Sequence, residues 1–220
     1  RAPAGVAGDK DGNVYVVETR NNRFQAFTES GDLLFSKGES GIDQGEFSFP
    51  NAIAISNEQE IYIVDAGRNR IQVFDIAGNF LRMWGSEGDA NGEFRNPAGI
   101  AVADDGLVYI ADSDNHRIQV FKSDGTYTTG WPVMVGEQTG AEPHAIVIDP
   151  RGIVYALADM RVIENYIVVS DMSGNYLDSW TVTYQGLAGI AITPDLGALF
   201  VTYSQWGRIE VFAIDQTKIP

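Results

Sequence analysis

Two histidines, His116 and His144, are the only imidazoles among 220 residues, and cysteine is absent. Thiolate nucleophiles and disulfide cross-links are therefore excluded. A catalytic zinc site draws three protein ligands from His, Cys and carboxylates, so both histidines would have to converge with a residue such as Asp112 or Asp114. The local pattern argues against this. His116 belongs to "DNHRIQVF" (114–121), and related segments carry Asn22, Asn69 and Gly207 at its position. "DKDGN" (9–13) opens like a calcium loop but lacks the later acidic ligands and the closing Glu, so it reads as a hairpin turn. The chain contains no phosphate loop, serine elbow or nucleophile–base motif.

Other charges recur. Glu18, Asp65, Asp112 and Asp159 each close an apolar run, and Tyr203 takes that place in the last copy. Arg23, Arg70, Arg117 and Arg208 open the run that follows. Such a set is either a ring of groups for a ligand or a carboxylate–guanidinium brace repeated in every unit. Periodic recurrence favours the brace, because a ligand site needs asymmetry.

The elements that hold these residues repeat as well. "VYVVETRNNRFQAF", "IYIVDAGRNRIQVF" and "VYIADSDNHRIQVF" begin at residues 14, 61 and 108, a spacing of 47 residues. "LFVTYSQWGRIEVF" (199–212) keeps the frame, and 154–170 fits with about three residues inserted. Upstream lie "PAGVAG" (3–8), "PNAIAI" (50–55), "PAGIAV" (97–102), "PHAIVI" (143–148) and "LAGIAI" (187–192). Downstream lie short runs such as "GNFLRMW" (78–84) and "GNYLDSW" (174–180). Each unit is thus four short strands separated by Gly, Asp and Asn turns. The sequence predicts an all-β fold, a β-propeller of four-stranded antiparallel blades forming one domain over 1–220. A single twisted sheet cannot cover both of its apolar faces, and radial stacking covers them. Repeats fall at about 2–47, 48–94, 95–142, 143–180 and 181–220, the last one incomplete.

The linkers "GESGIDQGEFSFP" (38–50) and "GSEGDANGEFRNP" (85–97) share G-x-x-G-x-x-x-G-E-F-x-x-P. With "DNHRIQVF" and its relatives, they make the chain resemble the NHL-repeat β-propeller family over residues 2 to about 130. Repeat four departs, with Tyr166 falling where the family has Arg, and repeat five has Tyr203 at the acidic position. Six blades are usual in the family. A five-repeat segment of a six-bladed ring is therefore the favoured expectation, with a partner or missing segment completing the last blade, and a five-bladed ring is the alternative.

The family topology places the loops between second and third strands on one face with the entry to each first strand. Entry positions are Ala4, Asn51, Ala98, His144 and Ala188, of which Asn51 and His144 stand out. With Arg20, Arg68, Asp114, His116, Arg161 and Trp206 from the loops, they form the expected ligand-binding face. Trp84, Trp131 and Trp180 share one register and read as blade packing. Propeller lactonases bind calcium through carboxylate and amide oxygens near the channel, and Glu18, Asn51, Asp65 and Asp112 are the calcium option here, whereas the His-rich zinc sites of propeller lyases are not matched.

Acidic residues outnumber basic ones 30 to 15, which argues against nucleic acid as a partner. No apolar run is long enough to span a bilayer. The expected function is a non-enzymatic binding or scaffold module for a protein, peptide or glycan, with no cofactor and no metal. A calcium- or zinc-dependent propeller hydrolase or lyase is the alternative. Composition and family usage suggest an extracellular, cell-surface or periplasmic setting.

Overall fold

The computed structural model describes residues 2–160, 164–182, 186–193, 195–203 and 207–214. Blade one is β1 (Pro3–Gly8), β2 (Val14–Glu18), β3 (Arg23–Phe27) and β4 (Leu33–Lys37). Blade two is β5 (Pro50–Ile55), β6 (Glu60–Asp65), β7 (Arg70–Asp75) and β8 (Phe80–Trp84). Blade three is β9 (Pro97–Val102), β10 (Val108–Asp112), β11 (Arg117–Phe121) and β12 (Tyr127–Pro132). A small hairpin, β13 (Met134–Val135) and β14 (Gln138–Thr139), leads to blade four: β15 (Glu142–Ile148), β16 (Val154–Asp159), β17 (Asn165–Ser170) and β18 (Tyr176–Val182). Blade five has β19 (Leu187–Ile192), β20 (Ala198–Tyr203) and β21 (Arg208–Ala213) among the described residues. Every sheet is a simple antiparallel meander in chain order.

Five blades therefore surround a central channel, the arrangement of the five-bladed alternative rather than the favoured six-bladed ring. First strands face the channel, and their small residues are needed there. A Cβ on Gly99 of β9 would lie 2.8 Å from the Ala145 Cα of β15.

Four apolar cores join the blades in succession. Tyr15, Val17 and Phe24 of blade one meet Ile53, Ile61 and Ile63 of blade two around Phe47 of the linker. Tyr62, Val64 and Ile71 likewise meet Ile100, Val108 and Ile110 around Phe94. The next two joints use the same positions. The tryptophans pack between blades as their register predicts: Trp84 lies 6.2 Å from the Tyr62 ring and 6.0 Å from the Phe121 ring.

The remaining joint differs. Val6, the counterpart of the buried Ile53 and Ile100, is 68% exposed, and Ile209 and Val211 of β21 are 65% and 59% exposed. Among the described residues, blades one and five do not seal against each other as the other pairs do. Ile63→Ala should lower unfolding free energy by about 2–5 kcal/mol, while Val211→Ser should change it by less than about 0.5 kcal/mol. Denaturant titration checks both, and a core-sized loss at Val211 would mean that the joint is closed.

Candidate functional site

Five β-bulges build the mouth of the channel. In each first strand one residue is skipped by the pairing with its neighbour: Ala4, Asn51, Ala98, His144 and Ala188. A bulge re-aims a side chain out of the ladder, and all five line a channel of about 490 Å³. Three of the five are alanine, so Asn51 and His144 supply the polarity of the ring. The Asn51 amide donates to the Pro97 carbonyl of the next blade at 3.2 Å, while its Oδ1 is buried without a hydrogen bond.

The recurrent charges are spent on structure. Asp65 accepts from the Ser48 amide at 2.6 Å and from Arg70 Nε at 2.8 Å. Arg70 then donates to the carbonyls of Ile42, Asp43 and Glu46, and Gln72 donates to Glu46 as well. Blade three repeats the clamp with Asp112, Arg117 and Gln119 on Asp89, Ala90 and Glu93. Glu18 pairs with Arg23 in blade one. This is the brace expected from periodicity.

Blade four breaks the pattern by register. Asp112 pairs with Pro97, but the residue paired with Pro143 is Ala158, so Asp159 lies one step beyond and opposite Glu142. Tyr166, paired with Ala158, stands where Arg117 stands, as its spacing suggests, and Asn165 lies one step beyond, opposite Asp159. A one-residue shift turns a side chain to the other face of a strand. Asp159 thereby reaches His144, with Oδ2 2.7 Å from Nε2. Asp159 is thus not a fourth copy of the brace.

The loop candidates lie on the same end of the blades. Arg20 and Arg68 are exposed on short 3-10 turns at Thr19–Asn21 and Ala66–Arg68. Asp114 is exposed on the turn Ser113–Asn115 and accepts from Asn96 Nδ2 at 3.2 Å. His116 closes that turn at φ +55°, and its carbonyl accepts from the Val133 amide at 2.9 Å. It occupies the left-handed position held by Asn22 and Asn69, and it does not join His144. Arg161 and Trp206 lie outside the described residues. Sequence reasoning missed Glu142 and Phe49. Phe49 is 61% exposed at φ +52°, with its amide donating to Asn22 Oδ1 at 2.9 Å.

A family model for the NHL repeat matches residues 47–74 and 94–121, which span the linker end, the clamp and the first three strands of blades two and three. Two blades of this β-propeller carry the NHL repeat. This propeller superposes on a chain of Kuenenia stuttgartiensis hydrazine synthase with a TM-score of 0.73 at 17% identity, over 91% of its own length and 55% of the other's. It therefore spans little more than half of that chain. It also superposes on virginiamycin B lyase from Staphylococcus aureus, with a TM-score of 0.65 at 16% identity, over 99% of its own length and 71% of the lyase. These likenesses show the fold. No curated protein matches by sequence.

Two carboxylates of the propeller titrate in opposite directions. Pairing with Arg23 holds Glu18 down to about 2, from an ordinary 4.5. Burial holds Asp65 above its ordinary range despite its hydrogen bonds. The Glu18 pair therefore stabilises the fold fully above about pH 4.5 and loses that contribution as pH falls toward 2. Ionising Asp65 instead costs stability as pH rises past its unfolded value. Glu18→Gln should be less stable than wild type at pH 6 and equal to it near pH 2. Unfolding curves at both pH values check this, and a pH-independent difference would sever the effect from the ion pair.

Proposed function

We propose that this propeller is a non-catalytic recognition module that binds a protein or peptide on the face bearing the channel mouth. NHL propellers commonly mediate protein interactions. The observation that carries the reading here is Phe49. The residue before the first-strand proline is left-handed in blades one to three, with Ala2 at φ +54° and Asn96 at φ +50° in the place of Phe49. Asn tolerates that backbone at little cost, whereas a bulky residue there is a strained outlier. The surrounding fold enforces the strain, since the Asn22 side chain holds the Phe49 amide in place. Nothing in the core repays it, because the ring points into solvent.

A strained, exposed aromatic is what an interface anchor requires. Ile42 of the same linker is 62% exposed, and Arg20 extends from the turn that Asn22 closes. Exposed aromatic and arginine side chains are the residue types enriched at interface centres. The chemistry named for the lyase and the synthase is not carried over to this chain, since the identities establish shared architecture alone.

Phe49→Asn separates binding from folding. The variant should unfold at a free energy equal to wild type or up to about 1–2 kcal/mol higher, because the left-handed strain is relieved. Peptides enriched on immobilised wild-type protein from a displayed random library should bind the variant at least about 10-fold more weakly. Peptides that bind both forms equally, or no enrichment on wild type, would sink the reading.

A further inference from the structure

We propose that Glu142, His144 and Asp159 form a binding site for one divalent transition-metal ion of the zinc class at the channel mouth. The proposal goes beyond the recognition reading and does not depend on it. One ligand atom from each residue lies within 4.8 Å of the others, the only such group of three among the described residues. Two strands of one blade position all three. Glu142 and Asp159 are directly paired across β15 and β16, and His144 occupies the bulge two residues after Glu142.

The Glu142–Asp159 pair is peculiar to blade four among the described residues. The other blades avoid this arrangement. Blade two pairs Pro50 with Asp65, and blade three pairs Pro97 with Asp112. In blade four the longer β16 carries its carboxylate past the proline and onto Glu142. A dication between them takes one oxygen from each carboxylate, with the His144 imidazole as a third ligand.

The donor set selects the ion. One imidazole nitrogen and two carboxylate oxygens are zinc ligands, whereas calcium is held by oxygens alone. Tetrahedral bonds of about 2.0–2.2 Å set ligand atoms about 3.4 Å apart. His144 and Asp159, now 2.7 Å apart, must separate slightly while Glu142 swings inward. The His144 and Asp159 side chains are each 31% exposed, so the site is reachable from solvent. His144 also lines the channel. Three protein ligands leave a fourth position for water or an anionic oxygen donor in the channel. The acidic chain further raises the local concentration of cations.

The test uses the whole chain, stripped with chelator and titrated with zinc chloride by calorimetry, with cobalt(II) absorption as a second readout. Wild type and His116→Asn should each bind one equivalent, and zinc should raise their melting temperature. Removing an outer partner of a ligand alone costs about 10–100-fold in affinity, so His144→Ala, Asp159→Asn and Glu142→Gln should each lose at least that much. The three variants guard one another against misfolding, because the two carboxylate changes preserve shape. No binding to wild type, equal binding by all three site variants, or loss of binding in His116→Asn would overturn the assignment.

Discussion

The clamp that each blade closes on the incoming linker holds the architecture in order. Asp65 is fully buried, and its charge is acceptable only because Arg70, Gln72 and the Ser48 amide converge on it. Arg70 in turn draws in three carbonyls of residues 42–46, so one ion pair organises a loop that has no strand partner of its own. Burying such a pair brings little net stability, whereas removing one partner costs about 3–5 kcal/mol because a charge is stranded. The clamp therefore acts mainly as a specifier. It fixes where the linker lies, which fixes where Phe47 enters the joint between blades one and two. Phe94 enters the next joint by the same route.

Apolar packing then follows the clamp. Each blade has one face for its predecessor and one for its successor, and the four sealed joints use the same positions in turn. The exposed flanks of Val6, Ile209 and Val211 show what a blade face looks like when no neighbour covers it. Close approach of the first strands forces glycine and alanine into them, as the Gly99 contact with Ala145 demonstrates. The channel is consequently narrow-walled and nearly featureless except where a bulge carries something larger than alanine.

Much of this was legible in the chain itself. A spacing of 47 residues, four runs per unit and small residues in the first run carry the blade, its strand order and the structural role of the Asp–Arg pairs. Two features were not legible. Asp159 ends its run as Asp112 does, and its run is one residue longer, but only the ladder shows that the extra residue carries the carboxylate past the proline to Glu142, because pattern matching counts residue types and not pairing register. Phe49 looked like linker, since backbone handedness has no letter in the sequence. A signal was nonetheless available: Phe49 aligns with Asn96, and Asn–Pro before a first strand is what a left-handed turn prefers.

Both features arise where one copy departs from a shared frame. The periodic residues are committed to folding, since every clamp side chain is already engaged with backbone and cannot serve a ligand without releasing its linker. A copy that departs is released from that duty. Phe49 replaces a turn residue while the turn survives, because the Asn22 bond supports it from the neighbouring blade. One extra residue in β16 moves a carboxylate from the buried clamp to the channel mouth, where His144 replaces the alanine found in three of the five bulges. Redundancy among five blades makes such changes tolerable: four sealed joints maintain the fold while single positions acquire chemistry that the repeat as a whole could not carry.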